Sequence, residues 1–179
     1  MTGEAAPANT ERAAALRRLA PWLALAAAVL AVDQLSKALV QQWLAPGEVS
    51  ALTGCFNFVL AYNRGAAFSF LDTGGGWQGY LFTGIALAAS AVIARLLARP
   101  GNRVLFSIAL GLIMGGALGN AVDRVRYGHV VDFLDFHWPW LEPLFAGGHF
   151  PAFNVADSAI TVGVALLLLD EVLHLRRES

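Results

Sequence analysis

Long uncharged stretches dominate this sequence and predict four transmembrane helices. No charged residue occurs in Leu19–Val32, Thr73–Ala94 or Val104–Val122. The last two stretches are close to the ~20 residues that an α-helix needs to cross a hydrocarbon core. A fourth stretch reaches this length only if it begins near Phe150, which places Asp157 inside the span. We therefore predict spans over roughly residues 20–40, 73–94, 104–123 and 150–170.

These spans predict one membrane domain, residues 20–172, between two basic ends. Residues 1–19 are predicted to form a cytoplasmic tail that is disordered at its start, and residues 173–179 a second cytoplasmic tail. The first hydrophobic segment is interpreted as a retained helix rather than a cleaved signal peptide. It lacks a clear small-x-small cleavage site and carries Asp33 and Lys37.

The distribution of Lys and Arg predicts the orientation of the chain. Eight of these residues lie before the first span, between the second and third spans, or after the fourth, and four lie on the other side. The positive-inside rule then places both termini in the cytoplasm. The outward-facing segments are therefore residues 41–72 and 126–149, approximately.

The two outward segments have different patterns. Alternation over Phe56–Asn63 predicts a strand in a small β-rich segment, with one face formed by Phe56, Phe58, Leu60 and Tyr62. A turn at residues 63–65 is predicted to precede a second strand over Ala66–Leu71. The segment at 126–149 is dense in aromatic residues, which is typical of a loop or short helix at the membrane interface.

Composition agrees with a membrane protein, since 57% of the residues are hydrophobic and 14% are charged. The mean hydropathy is +0.58, which argues against a water-soluble globule. A net charge of −1 argues against nucleic acid as a partner.

The single cysteine, Cys55, is interpreted as a small buried hydrophobe. Gly111, Gly115 and Gly119 form a stripe that predicts close helix packing.

Five ionisable residues lie in or beside the predicted spans, toward the outer face: Asp33, Asp123, Arg124, Asp132 and Asp157. Such groups are costly near a membrane and often mark functional sites. A buried pair of Arg124 with Asp33 or Asp123 would account for two of them. Asp132 and Asp157, if close together, would share one proton and hydrolyse an amide, one activating water and the other protonating the carbonyl. The residues alone favour neither an aspartyl dyad nor a structural ion-pair network over the other.

Other hydrolytic chemistries have less support. A Ser-Lys peptidase would need Lys37, but Ser36 lies about 100° away from it around a helix, so another serine would have to approach. The His-Glu-x-x-His and Gly-x-Ser-x-Gly motifs are absent. The four histidines lack zinc-ligand spacing: His129, His137, His149 and His174. We predict neither a metal nor a cofactor.

Five short motifs follow one another along residues 20–172: Asp33-Gln34 with Lys37, Asn63-Arg64-Gly65-Ala66-Ala67-Phe68-Ser69, Gly119-Asn120-Ala121-Val122-Asp123-Arg124, Val130-Val131-Asp132-Phe133, and Phe153-Asn154-Val155-Ala156-Asp157-Ser158. Each motif alone would be weak. Together, on a profile of four spans, they make the chain resemble lipoprotein signal peptidase, the type II signal peptidase of bacteria.

This resemblance implies a mainly α-helical aspartic endopeptidase of the bacterial inner membrane. Such an enzyme removes the signal peptide of a prolipoprotein, cleaving just before its diacylglyceryl-modified cysteine. The resemblance implies Asp132 and Asp157 as the catalytic pair. It implies substrate-binding or supporting roles for Asp33, Lys37, Asn63, Arg64, Gly65, Asn120, Asp123, Arg124 and Asn154. The expected partners are modified prolipoprotein signal peptides and membrane lipids, and the chain is expected to be a monomer.

Two features depart from the family's usual pattern. The N-terminal tail is extended, and the stretch Trp138–His149 is longer than common. The length of this stretch leaves undecided how the outer loop covers the site. Two other functions also stay open. A small proton-coupled transporter would use Asp33, Asp123 and Asp157 as a path, although the cytoplasmic halves of the spans are almost wholly apolar. A non-catalytic membrane scaffold would pack through the glycine stripe.

Overall fold

The computed structural model describes residues 5–65 and 77–178, and these ranges contain four long α-helices. They are α1, Ala5–Trp43; α2, Trp77–Leu97; α3, Val104–Tyr127; and α4, Val155–Glu178. Each is long and apolar enough to cross a membrane. The prediction of four spans is therefore confirmed, and the chain is a multi-pass membrane protein. The fourth helix, however, begins at Val155 rather than near Phe150, so Asp157 lies in its first turn. The predicted start of the second span, residues 73–76, lies outside the described residues.

The first helix begins much earlier than the predicted span. It starts at Ala5 and its 39 residues correspond to about 58 Å, nearly twice the ~30 Å hydrocarbon core of a bilayer. The segment before Leu19 is rich in Ala, Arg and Leu, which are strong helix formers. This corrects the prediction of a disordered tail, because the tail is helical from Ala5 onward.

The third helix is the centre of the bundle, since it packs against α1, α2 and α4 and is the most buried of the four. The glycine stripe of Gly111, Gly115 and Gly119 faces α1. A Cβ atom on Gly115 would lie 2.7 Å from the Ala26 carbonyl oxygen, and one on Gly119 would lie 2.7 Å from Asp33 Oδ2. The predicted role of the glycine stripe in close helix packing is confirmed, and its partner is α1 of the same chain.

Three strands form an antiparallel sheet in the part of the chain that the structure describes. They are β1, Val49–Thr53; β2, Phe56–Asn63; and β3, Val130–Phe136, and β2 lies in the middle. The strand predicted over residues 56–63 is confirmed as β2. The second strand predicted over residues 66–71 lies outside the described residues.

The alternation predicted for β2 does not persist along the strand. The pairing of β2 with β3 shifts between Phe58 and Ala61, as at a β-bulge. A bulge changes the direction in which the following side chains point. Leu60 is therefore buried whereas Tyr62 is exposed, although the sequence placed them on one face.

The sheet rests on the polar end of the helix bundle. A buried cluster joins the last turns of α1 to β2 and β3, and it consists of Val40, Leu44, Leu60, Val131 and Phe133. The third helix is capped at its C-terminus by Gly128, whose φ of 74° is in the left-handed region that favours glycine. The chain then enters β3 two residues later, which brings Asp132 close to the end of α3. Two 3₁₀ turns, Pro139–Leu141 and Ala146–Gly148, lie in the loop that leads to α4.

Candidate active site

Asp132 lies on β3 and accepts hydrogen bonds from two asparagine side chains. Asn154 Nδ2 lies 2.7 Å from Asp132 Oδ1, and Asn63 Nδ2 lies 3.2 Å from Asp132 Oδ2. Asn63 is itself oriented by the next turn, because its Oδ1 accepts a hydrogen bond from the Gly65 backbone N–H. The side chain of Asp132 is buried but lies on the wall of a groove.

Asp157 lies in the first turn of α4, where it and Asn154 cap the helix. Asn154 Oδ1 accepts the backbone N–H of Asp157 at 2.9 Å, and Asp157 Oδ2 accepts the backbone N–H of Asn154 at 3.3 Å. This reciprocal pattern is a capping box, with Asp157 in place of the usual Glu or Gln. Asn120 Nδ2 donates to Asp157 Oδ1 at 2.7 Å.

The side chain of Asn154 is fully buried and connects the two aspartates. Besides Asp132 Oδ1, its Nδ2 lies 3.1 Å from Asn120 Oδ1 and 3.2 Å from the Val131 carbonyl oxygen. Asn154 thus contacts Asp132 through its amide nitrogen and Asp157 through its amide oxygen. The side-chain amide of Asn154 therefore holds the carboxylate of Asp132 and the backbone of Asp157.

Lys37 forms a buried ion-pair cluster behind this amide. Its Nζ lies 2.8 Å from Asp33 Oδ2 and 2.7 Å from Asp123 Oδ2, and it donates to Asn120 Oδ1 at 3.0 Å. All three ammonium hydrogens therefore have an acceptor. The alternative pairing of Arg124 with Asp33 or Asp123, considered from the sequence, is wrong, because Lys37 takes that place.

The same two carboxylates hold backbone at the start of β3 and α4. Asp33 Oδ1 accepts the backbone N–H of Ala156 at 2.9 Å, and Asp123 Oδ2 accepts that of Val131 at 3.2 Å. Each donor N–H belongs to the residue that comes directly before an aspartate of the groove in the sequence. The ion-pair cluster therefore fixes the positions of Asp132 and Asp157 through short backbone links.

Arg124 is the cation that lines the groove. Its Nη1 donates to the Asn120 carbonyl oxygen at 3.3 Å, and its guanidinium lies 5.2 Å from the centre of the Phe82 ring. Its Nε is buried and has no hydrogen-bond partner among the residues that the structure describes. A buried donor without a partner is costly, so this atom is available to a bound carbonyl group.

The groove has a volume of about 840 Å³. Its polar wall contains Asn63, Asn120, Arg124, Asp132 and Asp157. Its apolar wall comes from the segment before α4 and from the second turn of that helix, and includes Phe150, Phe153, Ile160 and Val162. A few polar groups in an otherwise apolar concavity are typical of a ligand site.

The environment of Asp132 stabilises its protonated form. Burial in the groove wall raises the pKa of Asp132 from 3.8 to about 7, and the charge of Asp157 contributes in the same direction. The hydrogen bonds from Asn63 and Asn154 oppose this increase only in part. Asp132 therefore changes its protonation state near neutral pH, as a catalytic acid or base requires.

The structure brings most of the predicted site residues together but separates a few of them. Asp33, Lys37 and Asp123 lie behind the groove rather than on its wall. Arg64 is exposed, and neither it nor Gly65 is on the wall.

Sequence reasoning missed the role of Gln34. Its Nε2 donates to Asp123 Oδ1 at 2.7 Å and lies 3.2 Å from the Gly119 carbonyl oxygen. The signal was present, because Gln34 follows Asp33 in the first motif and amides commonly complete buried carboxylate networks.

The structure also brings together two histidines that are far apart in the sequence. Their spacing in sequence indicated no shared ligand site, yet the structure pairs His137 with His149 in an isolated β-bridge beside Asp135.

Comparison with known proteins gives consistent matches. The sequence model of the family described as Signal peptidase (SPase) II matches residues 25–173. Lipoprotein signal peptidases of Burkholderia vietnamiensis and Burkholderia multivorans are each 54% identical over 158 residues, covering 88% of this chain and 91% of the relative.

Two solved structures have the same fold. A bacterial membrane enzyme determined by the in meso method at 2.3 Å resolution gives a TM-score of 0.76 at 26% identity, covering 89% of this chain and 92% of that chain. Another, at 1.9 Å resolution, gives 0.70 at 27% identity, with coverage of 84% and 92%. Because the family model matches most of the chain and the relatives have more than half of the aligned residues in common with it, the chain belongs to the signal peptidase II family of membrane peptidases.

Proposed function

We propose that this protein is an aspartic endopeptidase that removes the signal peptide from diacylglyceryl-modified prolipoproteins, with Asp132 and Asp157 as the catalytic pair. One observation carries the proposal: both carboxylates face the same groove and both accept a hydrogen bond from Asn154, Asp132 from its side-chain amide and Asp157 from its backbone N–H. The relatives are lipoprotein signal peptidases, which supports the choice of substrate class.

In the proposed mechanism the pair holds one proton and Asp132 carries it, because the pKa of Asp132 is near 7. Asp157 removes a proton from a water molecule as the water oxygen attacks the scissile carbonyl carbon. Asp132 donates its proton to the carbonyl oxygen, which gives a neutral tetrahedral diol. Asp157 then protonates the leaving nitrogen as the C–N bond breaks, and Asp132 recovers its proton from the diol hydroxyl.

Neighbouring residues support this chemistry by position. Asn63 and Asn154 hold Asp132, while Asn120 holds Asp157, so neither carboxylate has to reorient before water attacks. The guanidinium of Arg124, whose Nε is available, donates to a carbonyl of the substrate backbone.

The shape of the groove suits a substrate that comes from the bilayer. From Asp157, the apolar wall continues along α4 through Ile160 and Val162, in the direction of the membrane core. A signal peptide crosses the bilayer as a helix, and the acyl chains of its modified cysteine also lie in the lipid. Membrane lipid therefore contacts the open side of the groove. We expect faster cleavage of the diacylglyceryl-modified precursor than of the unmodified one.

The decisive experiment is a cleavage assay in detergent with a diacylglyceryl-modified precursor peptide. Asp132→Asn and Asp157→Asn should each reduce kcat by at least about 10³-fold, since removal of a catalytic acid or base has effects of this order. Glu142→Gln, which neutralises an exposed carboxylate of the outer loop, is the matched control and should keep wild-type turnover. Wild-type rates for either aspartate variant would contradict the proposed pair.

We further propose that the protein lies in the bacterial inner membrane with both termini in the cytoplasm and the groove toward the outer side. Cys55, the single cysteine, lies in the turn between β1 and β2 and is partly exposed, so its interpretation from the sequence as a buried residue is wrong. A membrane-impermeant maleimide should label it in intact spheroplasts. A Cys55→Ser, Arg177→Cys variant should be labelled only after the membrane is opened. The reverse pattern would contradict this orientation.

The two other functions considered from the sequence are less well supported. A proton path would need polar groups along the spans, but the core between α1, α2 and α3 is apolar and consists of Ala26, Ile93, Leu97, Leu110 and Met114. A scaffold would need a free glycine stripe, but this stripe is already packed against α1. We retain the prediction of a monomer, which size-exclusion chromatography with light scattering would test.

A further inference from the structure

A second polar cluster lies at the base of the outer loop, apart from the proposed catalytic pair. It consists of Asp135, His137 and His149. Asp135 is three residues beyond Asp132 on β3, which corresponds to about 10 Å along a strand. None of the three residues lines the groove.

The ligand atoms of these three residues converge. One carboxylate oxygen and one nitrogen from each imidazole all lie within 4.8 Å of one another. His149 Nδ1 lies 2.9 Å from Asp135 Oδ2. The two imidazole rings are nearly parallel, with centroids 4.7 Å apart and an angle of 19° between their planes.

A neighbouring residue orients this cluster. Asn57 on β2 donates from Nδ2 to Asp135 Oδ2 at 2.7 Å and lies 3.4 Å from His137 Nδ1. Because an amide N–H only donates, Nδ1 of His137 is the acceptor in this contact and is unprotonated, and an ion bound at Nδ1 would replace the long hydrogen bond from Asn57. Asn57 and Asp135 are both buried, so the carboxylate is fixed in place. Metal ligands commonly have such hydrogen-bonded partners behind them.

We propose that Asp135, His137 and His149 bind a divalent first-row transition ion such as Zn²⁺, which joins the two ends of the outer loop. Two imidazoles and one carboxylate are a ligand set that zinc and its neighbours accept, with one position left for water. An ion bound to all three would hold the ligand atoms about 3.3 Å apart, so the widest pair has to close by at most roughly 1.5 Å. His149 is about half exposed, and its ring has the freedom to make that movement.

The backbone explains what such an ion would do. His137 and His149 form an isolated antiparallel bridge, and the Trp138 N–H donates to the Gly148 carbonyl oxygen at 3.0 Å. The two histidines therefore stand at the two ends of the loop that carries the exposed side chains of Trp140 and Leu144. The chain continues from His149 directly into Phe150 and Pro151, which line the groove. A bound ion would hold this loop closed at its base beside the groove.

The test uses the full-length, tag-free protein in detergent with Zn²⁺ and Co²⁺ as probes. We expect saturable binding of one Zn²⁺ by isothermal titration calorimetry, and a visible Co²⁺ absorption band that Zn²⁺ abolishes by competition. Thermal unfolding should move to higher temperature as the Zn²⁺ concentration increases. None of these measurements depends on peptidase activity or on the identity of the substrate.

Substitutions then assign the ligands. His137→Ala and Asp135→Asn should each weaken Zn²⁺ binding at least 100-fold, and Asn57→Ala should weaken it about 10–100-fold, as expected for a residue that orients a ligand. His174→Ala is the matched control, because His174 lies near the far end of α4 and should leave binding unchanged.

If a variant fails to fold, His149→Ala offers a milder change, because His149 is the most exposed of the three ligands. Absence of saturable Zn²⁺ binding by the folded wild-type protein would overturn the proposal. Equal affinity in the wild type, His137→Ala and His149→Ala would overturn it too, and would leave the cluster as an Asp–His hydrogen bond with stacked rings.

Discussion

Asn154 and Asp157 cap each other at the start of α4, each accepting the backbone N–H of the other through a side-chain oxygen. A capping box is common at the start of a helix, but here one of its two members is also a proposed catalytic carboxylate. The backbone turn that begins α4 and the position of Asp157 are therefore determined by the same two hydrogen bonds.

Asn154→Ala should impair both functions of this residue. Loss of the cap should lower the free energy of unfolding by about 0.5–2 kcal/mol. Loss of the contact with Asp132 at 2.7 Å should also reduce kcat by about 10²-fold, because the carboxylate loses its closest donor. The measurements are precursor cleavage and thermal unfolding in detergent.

Asn102→Ala is the control for the effect of stability alone. Asn102 lies between α2 and α3, and its Nδ2 donates to the Leu96 carbonyl oxygen at 2.8 Å, near the opposite end of the bundle. We expect a similar loss of stability with unchanged kcat. If Asn154→Ala also left kcat unchanged, Asn154 would be a structural cap only.

A second prediction concerns the buried ion-pair cluster. Lys37→Met should leave Asp33 and Asp123 as two neighbouring buried carboxylates without a cation, which typically costs about 3–5 kcal/mol. The chain should unfold at a lower temperature and lose activity, since the cluster holds the backbone at Val131 and Ala156.

Two further variants test this explanation. Arg17→Met removes an exposed cation from α1 and should change stability by less than about 0.5 kcal/mol. Adding Asp123→Asn to Lys37→Met should recover part of the lost stability, because one of the uncompensated charges is removed. A Lys37→Met protein as stable as the wild type would show that the ion pairs are not needed to hold the two elements.

The sequence predicted the spans better than it predicted the partners inside them. An uncharged run of ~20 residues is a strong signal, whereas the helix before Leu19 carries charges and gives no hydropathy signal at all. Asp33 and Lys37 are four residues apart, so their pairing on one helix was accessible from the sequence. Asp123 joins them only because glycines allow α3 to approach α1.

The structure of the two outer segments was harder to predict from the sequence than the partners inside the spans. The strand β3 was not predicted, because its aromatic residues suggested an interfacial belt rather than a central role in the site. Its pairing with β2 is a long-range contact that no local pattern specifies. The approach of His137 to His149 likewise follows from the loop closing on itself, which spacing along the chain does not show.

The glycine stripe allows a direct test of this long-range packing. Gly119→Ala would place a methyl group 2.7 Å from Asp33 Oδ2, a contact that real Cβ atoms essentially never make. We expect a loss of about 1–3 kcal/mol, the usual cost of overpacking, together with reduced activity from a displaced ion-pair cluster. Thermal unfolding and precursor cleavage measure the two effects.

Gly84→Ala provides the matched substitution on α2. A Cβ atom at Gly84 would meet nothing within 4 Å, so the change should be neutral or stabilise the helix by up to about 1 kcal/mol. Equal behaviour of the two alanine variants would mean that α1 and α3 can separate slightly without cost at Gly119.

The last prediction uses the protonation of Asp132. The pKa of Asp132 in the folded protein, about 7, is above the unfolded value of 3.8, so folding favours the protonated form. The contribution of this group to stability is therefore complete below about pH 4 and is lost as the pH rises through 7. The full loss amounts to at most about 4 kcal/mol, at 1.36 kcal/mol for each pKa unit.

Asp132→Asn cannot ionise and should remove this part of the pH dependence. The fall in unfolding temperature between pH 5 and pH 8 should be smaller in Asp132→Asn than in the wild type, and at pH 8 the inactive variant should be the more stable protein. Glu142→Gln, which removes an exposed carboxyl group, should keep the wild-type pH dependence. If Asp132→Asn showed the same fall as the wild type, Asp132 would be ionised across this range, and the proton that the mechanism requires would have to reside on Asp157.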